Sequence, residues 1–401
     1  MTCIVQKYGG SSVADVDKLK IIARRIAEVK QQGTDVAVVV SAMGKTTDNL
    51  VSLVRSVSEQ PPRREMDMLL STGERITMAL LCMALHEQGL TAVSLTGSQA
   101  GIITNHRHND ARVIEVRPFR VQDELAAGRV VIVGGFQGVS YKRDITTLGR
   151  GGSDTTAVAL AAALDAERCE IYSDVDGVYS ADPSVVEQAR HLPEISYETM
   201  QEMSAAGAKV LNTRAVQFAK EKQIAIYARS TFEPGRETVI RKLPPGAIVG
   251  VQAVVSEKAI TRVRLHGEDL ARRFRQAVRL LENEQVPVKE VSLVDTREQA
   301  KASFVVSLAN IYGWDAIRAR VEAAAGPDLC LDEDLGALSL IGEGLNNDNT
   351  TVLEVLDLLE EKGIAVAGVT TTSFRISLLV PLDQVQTAVR ICHQRWITPL
   401  P

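Results

Sequence analysis

A lysine stands in front of a glycine pair almost at the start of the chain. The stretch VQKYGGSSV, residues 5–13, places Lys7 after a short β-like run and before Gly9 and Gly10, with two serines following. Glycines let the backbone approach a ligand closely, and lysine and hydroxyl donors favour an anion. The order differs from the Walker loop, in which the lysine follows the glycines. Alone, the stretch predicts either a phosphate-binding turn or an ordinary connection between a strand and a helix.

A second stretch that could bind an anion, TTLGRGGSDTTAVAL, occupies residues 146–160. Arg150 precedes a glycine pair, and Ser153 and Asp154 follow where we expect the first turn of a helix. The free N–H groups and the dipole at the start of a helix attract negative charge. An N-cap role would account for Ser153 or Asp154, but not for the arginine and two glycines as well. We therefore predict a ligand site here.

A third stretch, SDVDGVYSADP, is rich in carboxylates and occupies residues 173–183. It contains Asp174, Asp176 and Asp182 but lacks the full spacing of a calcium loop, so we assign no protein metal ligand. A tight turn at Asp176 explains part of the pattern. Its position after a predicted strand leaves nucleotide contact as the competing interpretation.

A fourth stretch, LLSTGERIT, occupies residues 69–77 and carries Glu74 and Arg75 between apolar residues. Such a charged pair is typical of an exposed helix start. Without wider context this is the favoured interpretation.

The elements that must position these residues alternate along the first 245 residues. Apolar runs at 34–44, 90–97, 128–138 and 166–177 have the composition of buried strands, and helical stretches at 15–33 and 155–166 lie between them. Gly33 is the expected C-terminal cap of the first helix. This alternation predicts an α/β domain with a mainly parallel sheet. Ligands of such sheets bind beyond the C-terminal ends of the strands, where the glycine-rich turns fall.

The amino-acid composition changes around residues 233–250, which are rich in proline and glycine, and this change predicts a domain boundary. Beyond them the pattern strand–helix–strand–strand–helix occurs twice, which predicts two small ferredoxin-like modules. We therefore expect three domains: a catalytic domain at 1–245 and modules at 246–330 and 331–401.

The composition excludes several functional classes. The chain has 401 residues, 45% hydrophobic and 24% charged, and a net charge of −5 without a basic block. Nucleic-acid and membrane-surface binding therefore receive little support. We see no apolar run long enough to cross a membrane and no signal peptide. Five scattered cysteines indicate a reducing cytoplasm rather than a disulfide framework or a zinc site.

Together the motifs resemble a known family. KYGGSSV, VVVSAMGKTTDNL, STGERIT, GGFQG, TTLGRGGSDTTA, SDVDGVYSADP and GAKVL occur in the order seen in aspartate kinases of the amino acid kinase fold. The resemblance covers nearly all of residues 3–245. The two C-terminal modules fall where that family carries paired βαββαβ ACT domains, which bind small regulatory molecules.

The resemblance implies phosphate transfer from ATP to L-aspartate, giving ADP and 4-phospho-L-aspartate, the first step of the pathway to lysine, threonine and methionine. The attacking carboxylate is ionised at pH 7, so no general base is required. By the same resemblance, Lys7 acts on the transferred phosphate and Asp154 keeps the catalytic groups in register. Glu74 faces the ammonium of aspartate and Arg150 its α-carboxylate. The remaining substrate-binding residues implied are Ser41, Thr47, Gly152 and Ser153.

The resemblance also implies a nucleotide site and an assembly. Mg²⁺ would arrive with ATP, and the chain would form a homodimer or a larger homo-oligomer, because ACT modules commonly pair across chains. The ATP-binding residues implied are Gly9, Gly10, Ser11, Ser173, Asp174, Tyr179, Asp182 and Lys209.

The sequence departs from the family mildly in its first half and strongly in its second. Tyr8 replaces phenylalanine, Ser11 replaces threonine, and Ser184 stands where arginine commonly follows ADP, which removes one expected nucleotide contact. In the ACT half, effector-loop motifs are replaced at 266–273, 288–296, 348–351 and 370–377. We therefore expect weakened feedback by lysine and threonine, as in an isoform dedicated to one pathway.

Two alternatives remain at this stage. One is a sister kinase of the same fold acting on glutamate, acetylglutamate, carbamate or UMP, which the STGERIT motif and the paired modules disfavour. The other is a non-catalytic amino-acid-sensing or structural subunit, which the retention of Lys7, Glu74, Arg150 and Asp154 disfavours.

Overall fold

The computed structural model describes residues 3–397 apart from 60, 150, 234, 245, 247–248, 296–299, 310, 312 and 327. Arg150, which the sequence places in the substrate site, therefore lies outside the described residues. The chain forms two compact units. The first comprises Met1–Val178, His191–Ser204 and Lys209–Pro245, and the second comprises Tyr179–Arg190, Ala205–Ala208 and Gly246–Pro401.

The elements up to residue 245 are fourteen strands and eight helices among the described residues. The strands are β1 (Cys3–Tyr8), β2 (Asp35–Val40), β3 (Ala92–Leu95), β4 (Ile102–Thr104), β5 (Val113–Val116), β6 (Val130–Gly134), β7 (Gln137–Ser140), β8 (Ile145–Thr147), β9 (Arg168–Ser173), β10 (Val178–Tyr179), β11 (His191–Leu192), β12 (Glu194–Ser196), β13 (Ile226–Ser230) and β14 (Glu237–Arg241). The helices are α1 (Val16–Gln31), α2 (Thr46–Val57), α3 (Arg63–Leu70), α4 (Thr72–His86), α5 (Phe119–Ala126), α6 (Gly152–Ala163), α7 (Tyr197–Ala205) and α8 (Thr213–Lys222).

The large sheet of the first unit has the order β12-β14-β13-β9-β1-β2-β6-β3. Its pairs are parallel apart from β13 and β14, so the predicted mainly parallel sheet is confirmed. Strand β1 lies in the middle, between β2 and β9, and all of β2 is buried, as the unbroken apolar run predicts. A smaller sheet has the order β5-β4-β7-β8.

Helix α1 shows how the sequence determines its own boundaries. Asp15 is the N-cap and accepts a hydrogen bond from the backbone N–H of Lys18 at 2.9 Å. Leu19, Ile22 and Ile26 lie on one buried face against the sheet. Gly33 follows the helix with φ at +85°, which confirms its predicted role in the C-terminal cap.

The second unit contains two four-stranded antiparallel sheets. Its strands are β15 (Gly250–Glu257), β16 (Ile260–His266), β17 (Val288–Asp295), β18 (Ala300–Ser307), β19 (Leu329–Asp332), β20 (Leu335–Glu343), β21 (Gly368–Thr372) and β22 (Arg375–Pro381). Its helices are α9 (Leu270–Asn283), α10 (Trp314–Ala325), α11 (Thr350–Glu361) and α12 (Val385–Trp396). The orders β17-β18-β16-β19 and β15-β20-β22-β21 are those of ferredoxin-like modules.

The two modules are not simply consecutive. The second sheet takes its fourth strand, β15, from residues that precede the whole first module. The proline- and glycine-rich texture before β15 marks a boundary but carries no information on this long-range pairing. The predicted boundary at 330/331 falls within β19, which pairs with β16 in the first module's sheet, so we propose that the first module ends after β19 and that residues 250–257 belong to the second module.

A short segment from the first half of the chain, Tyr179–Arg190, belongs to the second unit. Ala181 and Val186 are buried in the core formed by β20, β22, α11 and α12. Ser180 accepts the N–H of Val254 at 2.7 Å, and its Oγ lies 2.8 Å from Nε2 of the buried His393. The composition of residues 179–190 gave no sign of this placement.

One helical stretch in the described residues, Arg63–His86, is long and apolar enough to cross a membrane by length and composition alone. This finding corrects the expectation that no segment would qualify. The stretch consists of α3 and α4, joined at Ser71, and α4 packs against α1, β3 and β6. Buried Asp67 and Glu74 lie within it, and ionisable groups are costly inside a bilayer, so length and composition are weak evidence of a membrane span here.

Candidate active site

A buried ion pair lies at the centre of the large sheet. Lys7 is near the C-terminal end of β1, and its Nζ is 2.6 Å from Oδ1 of Asp154 in the first turn of α6. Both side chains are about nine-tenths buried. Burying two charges is costly even when they are paired, so such a pair is weak evidence of a purely stabilising role. The sequence prediction that Lys7 and Asp154 lie together agrees with this geometry.

The Gly9–Gly10 turn places no side chain beside the lysine ammonium. The N–H of Gly9 donates to the carbonyl oxygen of Tyr172 at 3.1 Å, which anchors the turn to the end of β9. A Cβ on Gly9 would lie 3.4 Å from Nζ of Lys7, and a Cβ on Gly10 would lie 3.0 Å from the carbonyl oxygen of Ala42. Glycine therefore keeps side chains out of the space beside the positive charge. Ser11, next in the turn, is exposed.

Glu74 is a buried carboxylate that is only half satisfied. Its side chain belongs to the first turn of α4, and the residue is 3% exposed. Oε1 accepts the N–H of Ala42 at 3.1 Å, whereas Oε2 has no hydrogen-bond partner among the described residues. Burial raises the pKa of Glu74 to about 7, although hydrogen bonds from its own N–H and that of Ala42 oppose this shift. The interpretation of this stretch as an exposed helix start is therefore wrong.

The end of β2 meets the start of α4 beside this carboxylate. Ser41 follows β2 directly, and its N–H donates to the carbonyl oxygen of Tyr8 at 3.1 Å. A Cβ on Gly73 would lie 2.8 Å from Cβ of Ala42, so glycine is needed for this close approach. Thr47 is half-buried in the first turn of α2. Ser41 is therefore next in sequence to Ala42, whose N–H donates to the Glu74 carboxylate.

The turn before α6 is built from glycines in left-handed conformations. Gly149 and Gly151 have φ values of +73° and +69°, and the N–H of Gly152 donates to the carbonyl oxygen of Gly149 at 3.0 Å. Helix α6 begins at Gly152, so Ser153 and Asp154 lie in its first turn, as the sequence predicts. Ser153 is buried, and a Cβ on Gly135 would lie 2.8 Å from its Oγ. The start of α6 therefore packs against Gly135, which directly follows β6.

The residues predicted to bind the nucleotide are divided between the two units. Ser173 ends β9, and its carbonyl oxygen accepts the N–H of Thr231 at 2.9 Å. Asp174 and Lys209 are exposed residues of the first unit. Tyr179 and Asp182 belong to the second unit, where Asp182 accepts bonds from the N–H and hydroxyl of Ser184 at 2.9 and 2.6 Å. Ser184, which replaces the family's arginine, thus completes a local turn.

A buried polar network in the large sheet was not predicted from the sequence. Glu170 on β9 accepts hydrogen bonds from Gln6 at 2.9 Å, Tyr172 at 3.0 Å and Arg229 at 2.6 Å. Burial alone would raise the pKa of Glu170, but Arg229, together with Arg168 and Gln6, holds it below its usual range. The network ties β1, β9 and β13 together on the opposite face of β1 from Lys7.

Tyr8, noted above as a departure from phenylalanine, belongs to this network. Its hydroxyl donates to Oε1 of Gln6 at 3.2 Å, and its ring stacks on Tyr172 with centroids 4.8 Å apart. The substituted hydroxyl is therefore satisfied in the interior, as a buried polar group requires. This was the one sequence signal that could have revealed the network.

Comparison with known proteins identifies one family, and two similar proteins carry one name. Residues 2–230 match the model of the amino acid kinase family. The chain is 42% identical to an aspartokinase of Mycolicibacterium smegmatis, covering 98% of this chain and 96% of that protein. It is 41% identical to an aspartokinase of Geobacillus stearothermophilus, covering 98% and 97% of the two chains.

Solved structures show the same fold. Aspartokinase III of E. coli in complex with aspartate and ADP superimposes with a TM-score of 0.82 at 23% identity, covering 98% of this chain and 99% of that one. Aspartate kinase from Synechocystis gives a TM-score of 0.57 at 32% identity, covering 98% of this chain and 69% of that one.

Proposed function

The chain belongs to the aspartokinases of the amino acid kinase family and phosphorylates aspartate, and on that premise we propose which of its residues carry out the transfer. An oxygen of the aspartate side-chain carboxylate attacks the γ-phosphorus of ATP. The bond between that phosphorus and the bridging oxygen breaks, ADP leaves, and 4-phospho-L-aspartate forms. The nucleophile is already ionised at pH 7, so no proton has to move. The protein must therefore supply alignment and positive charge.

Lys7 supplies the positive charge. The observation that carries this assignment is its buried ammonium, held 2.6 Å from Asp154 at the C-terminal end of the central strand beside the Gly9–Gly10 turn. A fixed donor in a site that excludes water stabilises charge on the transferred phosphoryl group more strongly than a solvated one. Asp154 keeps the ammonium oriented.

Glu74 binds the α-ammonium of aspartate. Its Oε2 is buried and unpartnered among the described residues, so a cationic donor at this position would satisfy it and restore its negative charge. Arg150 is assigned to the α-carboxylate from its sequence position, since a guanidinium binds a carboxylate through two parallel hydrogen bonds. The other aspartate-binding residues in the proposal are Ser41, Thr47, Gly152 and Ser153.

ATP is assigned to the glycine turn and to residues of the segment that follows β9. Mg²⁺ enters bound to its phosphates, and no group of three acidic, histidine or cysteine side chains in the described ranges could hold a metal ion by itself. The residues assigned to ATP are Gly9, Gly10, Ser11, Ser173, Asp174, Tyr179, Asp182 and Lys209.

The second unit is proposed to be a pair of ACT modules with weakened effector response. Both sheets keep the ferredoxin-like strand order, and the E. coli aspartokinase III has also been solved with lysine and aspartate. Here the expected effector motifs are replaced at residues 266–273 and 348–351. We assign the enzyme to the first step of lysine, threonine and methionine synthesis in the cytoplasm, as a pathway-dedicated isoform with weakened feedback control.

Assembly into a homodimer or larger oligomer is proposed through the first module. Strand β17 is at the edge of its sheet, and Val291 and Leu293 on it are exposed. An exposed apolar edge strand is a surface that proteins ordinarily cover.

The test is trapping of the acyl phosphate as a hydroxamate, with ATP and either aspartate or glutamate, with and without lysine plus threonine. We expect product with aspartate alone and little change with the two amino acids. Turnover on glutamate would favour the sister-kinase alternative, and strong joint inhibition would refute the weakened response.

A further inference from the structure

A completely buried carboxylate lies outside the residues assigned above. Asp67, in α3, is 0% exposed, and the backbone N–H of Asn109 donates to its Oδ1 at 3.0 Å. The hydroxyl of Thr147 donates to the same oxygen at 2.5 Å, and Nδ1 of His108 lies 2.6 Å from Oδ2. Burial raises the pKa of Asp67, although these three contacts oppose the shift. A carboxylate in this position is retained only where several donors compensate its burial.

The loop that contacts Asp67 also packs on the turn before α6. Thr147 is the last residue of β8, and its carbonyl oxygen accepts the N–H of Ala111 at 2.9 Å. A Cβ on Gly149 would lie 3.2 Å from Oδ1 of Asp110 and 3.3 Å from the carbonyl oxygen of Asn109. The loop that binds Asp67 therefore packs directly on the turn that leads to Ser153 and Asp154.

That loop is itself held from the other side. Asp110 forms a two-pronged ion pair with Arg214 at the start of α8, with distances of 2.5 and 3.0 Å. Asn212, the N-cap of α8, lies over Gly151 so closely that a Cβ there would collide with it. The turn is thus enclosed by the 105–110 loop and the start of α8.

The backbone of Asp67 is connected to the helix that carries Glu74. The carbonyl oxygen of Asp67 accepts the N–H of Ser71 at 3.0 Å, at the junction between α3 and α4. The carbonyl oxygen of Ser71 accepts Nε2 of the buried Gln137 at 3.0 Å. Helix α4 then begins, with Glu74 in its first turn. The Asp67 side chain therefore contacts the loop that packs on the Gly149–Gly152 turn, and its backbone bonds to the junction that immediately precedes α4.

We infer that Asp67 is a positioning residue for aspartate, which acts through Thr147 to fix the distance between the Gly149–Gly152 turn and the first turn of α4. The inference rests on the proposed roles of Glu74 and the residues after Gly149. Aspartate must be held by its two α-substituents while its side-chain carboxylate meets the phosphate. A small error in the spacing of the two elements weakens both contacts together.

The experiment compares Thr147→Val, which removes the hydroxyl but keeps the shape, with Thr147→Ser, which keeps the hydroxyl. We expect Thr147→Val to raise the KM for aspartate about tenfold, the usual loss for a hydrogen bond to a charged group. The KM for ATP stays unchanged, and Thr147→Ser behaves like the parent enzyme. Asp67→Asn, measured alongside, shifts the same constant in the same direction.

Two further variants make the outcome decisive. Thr261→Val removes a buried hydroxyl without a partner in the described residues of the second unit, and leaves both KM values unchanged. Glu74→Gln tests the proposed aspartate contact itself. If Glu74→Gln raises the KM for aspartate but Thr147→Val only lowers Tm, or raises both KM values equally, the positioning role is wrong. If Glu74→Gln has no effect, the assignment of Glu74 fails instead.

Discussion

The Nζ of Lys7 lies 2.6 Å from Oδ1 of Asp154, and this contact joins the central strand of the large sheet to the first turn of α6. A second pair, Lys30 with Asp35, has the same distance and similar burial. That pair joins the end of α1 to the beginning of β2, at the N-terminal edge of the strands. The two pairs differ in their position relative to the glycine turns, which is why one is assigned to catalysis and the other to stability.

Lys7→Ala is expected to reduce kcat by about 10²-fold or more, as when a single transition-state donor is lost. The reaction retains its nucleophile but loses the positive charge beside the phosphoryl group. Steady-state kinetics with saturating ATP and aspartate measure the effect. Lys30→Ala is the matched control: it costs stability through Asp35 but leaves kcat near the parent value. Near-normal turnover of Lys7→Ala would remove the lysine from the mechanism.

Aspartate binding is expected to strengthen as pH rises through about 7, where the free enzyme's Glu74 loses its proton. The ionised carboxylate attracts the ammonium of the substrate, whereas the protonated form does not. The measurement is kcat/KM for aspartate from pH 5.5 to 8.5. Glu74→Gln should lose this rise and show a KM raised by about tenfold or more. A profile that is identical in the two proteins would contradict the assignment.

The same residue makes a prediction for folding. Burial raises the pKa of Glu74 from 4.5, the ordinary value of a glutamate, to about 7 in the folded chain, so the folded state binds more protons than the unfolded state between these two pH values. The free energy of unfolding contributed by Glu74 therefore falls as pH rises from 4.5 to 7, by about 3 kcal/mol in total. Glu74→Gln, which carries no charge to bury, should unfold at higher denaturant concentration than the parent at pH 8. Equal stability at pH 8 and at pH 5 would contradict the shift.

The sequence predicted most of the first unit because its signals are local. The run DVAVVV identifies a strand buried on both faces, and Gly33 ends α1 through its own backbone conformation. The burial of Glu74 was missed because it results from Ala42, which lies 32 positions earlier. Likewise, β15 pairs with β20 across the whole first module, and no local pattern encodes a partner at that separation.

The site shows the same division between local and distant causes. Lys7 and the glycines of both turns could be identified because few other roles need those residue types together. Asp67 sits in the sequence REMDMLL, where one carboxylate in an amphipathic helix predicts an exposed position. Its partners are Thr147 in β8 and His108 and Asn109 in the loop between β4 and β5, and only folding brings them to it. Sequence motifs identify the groups proposed to contact a ligand. The residues that position those groups are identified only from contacts in the folded structure.

The edge strand β17 provides the last prediction. Val291 and Leu293 are about half exposed on a strand at the edge of its sheet, where a second copy could continue the hydrogen-bonding pattern. Replacing both with lysine should lower the molar mass measured by light scattering after size exclusion, because the charges cannot be buried between two edges. Val57→Lys, on an exposed residue of α2, is the control and should leave the mass unchanged. An unchanged oligomer in the double lysine variant would show that assembly uses another surface.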